Sequence, residues 1–84
     1  MRKTLIIYKP EFIDLAIKLR DNYLAHNVEV DIISEKEQGD IEYARKRKYV
    51  EVVFIEDINN VIIHDINSGY TNRCPISDVY YSER

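Results

Sequence analysis

Apolar and polar positions change period several times along the chain, and each change marks an element. Residues 4–8 carry Leu5, Ile6 and Ile7 in succession, which predicts a short strand that is apolar on both faces. Lys9-Pro10 ends it, and Pro10 suits a helix start because its missing N–H has no partner to lose there. Over residues 11–25, Phe12, Leu15, Ala16, Leu19 and Tyr23 recur at helical spacing, giving an amphipathic helix with one stripe for a sheet. Asn27 then stands where a left-handed cap is expected. Residues 28–33 alternate Val28, Val30 and Ile32 with Glu29 and Asp31, a strand with one wet face near a sheet edge.

The polar residues 34–39 read as a loop, and Asp40 reads as the cap of a second helix. Arg45, Lys46, Arg47 and Lys48 fall in its last turn, where the helix dipole is negative. Residues 50–55 are mostly β-branched or aromatic, as in a strand covered on both faces. Asp57-Ile58-Asn59-Asn60 supplies turn chemistry, and residues 61–66 run back as a partner strand. Asn67-Ser68-Gly69 ends that strand, and residues 70–76 form a last one, which Pro75 confines to an edge or an end. Ser77-Asp78 reads as the cap of a one-turn helix carrying Val79, Tyr80 and Tyr81.

This order predicts one α/β domain over residues 1–84: a three-layer mixed sheet of four to five strands, with a parallel core extended by an antiparallel hairpin. Loops at the carboxyl ends of the parallel strands, around Tyr8-Lys9, residues 34–39 and Glu56-Asp57, are expected on one rim. That rim is the usual ligand position in such sheets. The first helix also has a second apolar stripe, Ile13, Ile17 and Leu24, with Arg20 between them. Burial under the C-terminal segment is the plain expectation for it, and a docking surface for another domain or subunit is the sharper one.

Composition narrows the function classes. The chain is 45% hydrophobic and 32% charged, as folded domains are, and its apolar runs are too short to cross a bilayer as a helix. A net charge of −3 argues against broad, salt-driven affinity for nucleic acid. Cys74 is the single cysteine, so no internal disulfide forms, in keeping with a reducing cytoplasm. His26 and His64 stand apart from any carboxylate or cysteine at metal-ligand spacing, and Cys74 has no histidine beside it. Glu35, Glu37, Glu56 and Asp57 are candidates to share the rim, but nothing encloses them for acid–base work. Gly39 and Gly69 belong to no phosphate-cradling motif. The seven tyrosines are scattered, as boundary residues with wet hydroxyls are, and form no stacking platform. Arg45–Lys48 occupy four successive helical positions and point in four directions, so they read as a solvated, dipole-complementing helix end, with a phosphate contact as the alternative. No residue set carries a reaction, and no cofactor or metal is expected.

Read end to end, the segments TLIIY, LAIKLRDNYLAHNVEVDI, IEYARKRKYVEVVFI and VIIHDINSGYTNR resemble the C-terminal anticodon-binding domain of class II aminoacyl-tRNA synthetases, in the histidyl branch. The turn Glu56-Asp57-Ile58-Asn59-Asn60 departs from that family's glycine–glutamate turn, and Asn27 and Tyr49 stand where glycines usually follow the two helices. With the acidic charge and the short last helix, these departures look more like the synthetase paralogue that serves as regulatory subunit of ATP phosphoribosyltransferase in histidine biosynthesis. The resemblance implies a non-catalytic accessory domain, a piece of a longer synthetase-like chain. Its partners would be the rest of that chain and the ATP phosphoribosyltransferase catalytic subunit. Ile13, Ile17 and Leu24 are the docking candidates. The alternative it implies is a tRNA anticodon-binding domain, with Lys9, Arg45 and Lys48 as RNA contacts.

Overall fold

The computed structural model describes residues 3–35 and 39–82. Among them the elements run β1 (Lys3–Tyr8), α1 (Ile13–Ala25), β2 (Glu29–Ser34), α2 (Asp40–Lys46), β3 (Glu51–Ile55), β4 (Asn60–Asp65) and β5 (Thr71–Pro75). One 3-10 turn, Pro10–Phe12, leads into α1, and another, Ile76–Asp78, follows β5. The strands form one sheet in the order β2-β1-β3-β4-β5. β1 pairs parallel with β2 and with β3, while β4 and β5 continue antiparallel. This is the expected parallel core with its hairpin, completed by the fifth strand.

Sequence order explains the layering. The first crossover runs outward from β1 to β2, and the second returns past β1 to β3. Two right-handed crossovers travelling in opposite directions lie on opposite faces. Accordingly, Ala16, Leu19 and Tyr23 of α1 pack on Ile6, Val30, Val53, Ile55 and Val61. Ala44 of α2 packs with Tyr49 and Ile66 on Leu5, Ile7 and Val52 of the other face. β1 and β3 are therefore covered on both sides, which is why their apolar residues run consecutively instead of alternating. Burying each such leucine or isoleucine contributes roughly 1.5–3 kcal/mol, so these two strands hold much of the fold's stability.

Several local expectations are corrected. Asp40 does not cap α2. Gly39 does, at φ 85°, and its carbonyl accepts the Tyr43 N–H at 2.8 Å. The chain enters α2 through the left-handed region, where glycine has no Cβ penalty, and Asp40 becomes the first helical residue, buried. Asn27 takes the left-handed cap of α1 as expected, at φ 61°. After α2 the left-handed residue is Lys48, at φ 65°, and not Tyr49, whose ring is committed to the core. The last helical turn forms at Ile76–Asp78, ahead of Val79, because Pro75 closes β5 in an extended conformation and can directly precede a turn. Glu37 and the middle of the expected 34–39 loop lie outside the described residues.

Candidate functional site

Three surfaces carry the residues singled out above. The first is the flank of α1. Ile13 is 43% exposed and Leu24 52%, with Ile17 half-buried between them. At 3.6 residues per turn they lie roughly half a turn round the helix from Asn22 and His26. The C-terminal segment packs on that other side: Asn22 Nδ2 donates to the Tyr81 carbonyl at 3.1 Å and the Tyr81 N–H donates to Asn22 Oδ1 at 2.8 Å. The Tyr81 ring stacks on His26 and meets Tyr23 edge-on. His26 Nδ1 and Nε2 lie 2.9 and 3.0 Å from the carbonyl oxygens of Asn22 and Ser82. The tail therefore does not cover the stripe, contrary to the plain expectation. α1 itself packs over β1 and β2, the latter an edge strand of the sheet.

The second surface is the carboxyl-end rim. Lys9 follows β1 there, and Glu56 pairs with Arg73 at 2.7 Å. Asp57 Oδ1 accepts the N–H groups of Asn59 and Asn60, each at 2.8 Å, closing the β3–β4 turn. The Asn59 backbone bond leads the causes that hold the Asp57 carboxyl below its ordinary range. Glu56 and Asp57 are thus occupied in a pair and a turn. Arg45 and Lys48 are at the opposite end of the sheet, since α2 runs back across the strands and the Val50 N–H donates to the Lys3 carbonyl at the start of β1. Lys9 is thus separated from them by the length of β1, about 20 Å for a six-residue strand. The three residues do not share a face.

The third surface was not legible in the sequence. At the amino-terminal end of the parallel strands, an open cleft of about 700 Å³ is lined by Lys3, Asp31, Tyr43, Lys46, Arg47 and Tyr49. Lys3 Nζ lies 4.5 Å from the centre of the Tyr49 ring, and Arg47 Cζ lies 4.7 Å from that of Tyr43. The Tyr49 hydroxyl donates to Asp31 Oδ2 at 2.6 Å. Burial, then that bond and the Asp31 charge, push the Tyr49 phenol well above its ordinary range, so it remains a donor. Arg45, by contrast, turns away to Glu42 at 3.2 Å. Pairwise spacing in the sequence gives no sign of this grouping. Only the strand register places Asp31 beside Leu5 and brings β3 back alongside β1.

His64 Nδ1 meets the Thr71 hydroxyl at 2.9 Å on the exposed β4–β5 ladder, and burial first, with Asp78 second, raises the Cys74 thiol. Among the described residues no three histidine, cysteine or carboxylate side chains are grouped to hold a metal ion, and no helix is long and apolar enough to cross a membrane.

With the geometry in place, comparison with known proteins adds the fold's class. No protein-family model matches the chain, and neither does any curated protein sequence. Among solved structures, histidyl-tRNA synthetase from Nostoc sp. PCC 7120 superposes with a TM-score of 0.79 at 17% identity, over 92% of this chain and 20% of that one. The apo histidyl-tRNA synthetase of S. aureus superposes with a TM-score of 0.74 at 10% identity, over 94% of this chain and 25% of that one. The chain therefore has the α/β fold of a domain found in histidyl-tRNA synthetases, and it spans a quarter or less of their length.

Proposed function

We propose that this chain is a non-catalytic accessory domain of a histidyl-tRNA-synthetase-like protein and works by docking and assembly. Its finer role, on this reading, is in the regulatory subunit of ATP phosphoribosyltransferase, in the cytoplasm. The observation that carries the proposal is the uncovered stripe of α1, Ile13 and Leu24 with the half-buried Ile17. Both faces of β1 and β3 are filled by side chains, and Glu56 and Asp57 at the carboxyl end are committed to an ion pair and a turn, which supports a platform over an active site. Calorimetric titration of the chain into the ATP phosphoribosyltransferase catalytic subunit tests it. Saturable binding that disappears in Leu24→Asp is expected, and no heat with a folded chain overturns the regulatory role.

A second reading, a tRNA anticodon-binding domain, draws support from the histidyl-tRNA synthetase neighbours and from the cations at the end of α2. Arg45 and Lys48 would contact RNA on one side and Lys9 a separate stretch, since they lie at opposite ends of β1. Titration with histidine tRNA at about 50 and 200 mM salt separates the two readings. Micromolar, salt-sensitive binding favours the second and displaces the first.

A further inference from the structure

We propose that the cleft between the start of β1 and the end of α2 is a binding site for a compact phosphate-bearing anion, such as a pyrophosphate or a phosphomonoester, held by Lys3, Lys46 and Arg47. This goes beyond the docking role and does not depend on it.

The charge distribution is the first reason. The chain as a whole is acidic, at −3, yet among the described residues three cations and one carboxylate line this concavity. Complementing the negative end of α2 accounts for Lys46 and Arg47. It does not account for Lys3, which arrives from β1, a different element, and meets them across two tyrosines.

The second reason is preorganisation. A lysine or arginine on open surface loses rotamer freedom when it grips an anion, and that loss weakens binding. Here the Lys3 ammonium is already held over the Tyr49 ring and the Arg47 guanidinium over the Tyr43 ring. Tyr49 is itself fixed by the core and by its bond to Asp31. The cations are therefore presented in place, and Arg47 keeps its guanidinium edge for bidentate contact with phosphoryl oxygens. Asp31 would repel the anion, but its Oδ2 accepts the Tyr49 hydroxyl, which draws part of that charge away from the cleft.

Ligand size follows from the surroundings. Lys3 pairs in register with Glu29 on the neighbouring edge strand, and Leu5, on the same face as Lys3, pairs with Asp31, so two carboxylates flank the cations on the β2 side. A long polyanion leaving the cleft meets these acids, whereas a compact dianion stays among the cations. The volume, about 700 Å³, admits a ligand up to the size of a mononucleotide.

The test is a 15N–1H NMR titration of the whole chain, at fixed ionic strength, with inorganic pyrophosphate, with adenosine monophosphate and with an oligouridylate. Expected is saturable millimolar binding of pyrophosphate, with shifts confined to Lys3, Asp31 and residues 43–49. Adenosine monophosphate should bind in the same place, showing that a nucleotide's phosphate serves as well as a free one. Arg47→Ala and Lys46→Ala, both at exposed positions, should each weaken pyrophosphate about fivefold while leaving the chain folded, with a thermal midpoint lowered by no more than about 5 °C. Asp31→Asn, which still accepts the Tyr49 hydroxyl, should tighten binding about twofold. Lys18→Ala, on exposed α1 surface, should change nothing. The proposal is overturned by shifts that never saturate, by Arg47→Ala binding as wild type does, or by oligouridylate binding more tightly than pyrophosphate.

Discussion

Replacing Tyr49 by phenylalanine isolates one interaction. The Tyr49 hydroxyl donates to Asp31 Oδ2 at 2.6 Å, tying the segment that leads into β3 to the edge strand β2 across β1. A hydrogen bond to a charged group contributes about 1.5–3 kcal/mol, and the exposure of Asp31, which lets water replace the lost donor, lowers this to about 1 kcal/mol. The ring itself is 6% exposed, and phenylalanine keeps its packing. For a domain of this size about 1 kcal/mol is a fall of about 4–8 °C in thermal midpoint.

The pH dependence supplies a signature that lost packing would lack. The folded phenol titrates above its ordinary value, so its contribution is full below about pH 10, where the unfolded tyrosine ionises. It is lost as the pH rises above that value toward the folded one. Urea unfolding of wild type and Tyr49→Phe, followed by circular dichroism at neutral pH and at about pH 10.5, should show the gap between them shrinking at the higher pH. A gap that stays constant, or a variant as stable as wild type at neutral pH, refutes this reading of the bond.

Other expectations follow from the same structure. Leu19→Ala, at a fully buried position of α1, should cost about 2–5 kcal/mol in urea unfolding, whereas Leu24→Asp, exposed but placing an acid in the last turn of α1, should cost only about 1 kcal/mol. Lys48→Gly should stabilise the domain by about 1 kcal/mol, because Lys48 holds a left-handed backbone that a Cβ disfavours. The Asp57 carboxyl is held below its usual range by the β3–β4 turn, so its contribution is present above about pH 4 and lost as the pH falls further. Asp57→Ala should therefore lower the urea midpoint at neutral pH and flatten its decline in acid. His26→Ala should release the tail, seen as loss of the nuclear Overhauser contacts between Tyr81 and Tyr23, with about 1 kcal/mol or less of stability.

Much of the architecture is legible in the sequence because burial writes itself into local pattern. The consecutive apolar residues of β1 and β3, the alternation in β2 and the stripe of α1 each follow from which faces are covered, so strand type, sheet edge and helix orientation can be read directly. Caps are less legible. Asp40 is a good cap by residue type, but the cap has a positive φ, which glycine adopts without a Cβ penalty, and Gly39 holds the position. Least legible is the amino-terminal cleft, because Lys3, Asp31, Tyr43 and Tyr49 become neighbours through parallel register alone. The carboxyl-end rim drew attention from a general rule for such sheets. In this chain Glu56 and Asp57 are committed to an ion pair and a turn there, while Lys3, Lys46 and Arg47 line the cleft at the other end.

The central claim, that this domain assembles with protein through the open flank of α1, is tested most directly by sedimentation velocity of the chain mixed with the ATP phosphoribosyltransferase catalytic subunit, using wild type and Leu24→Asp. The account predicts co-sedimentation for wild type and separate boundaries for the variant, with both chains equally folded. Co-sedimentation that survives Leu24→Asp, or a wild-type chain that sediments alone, contradicts it.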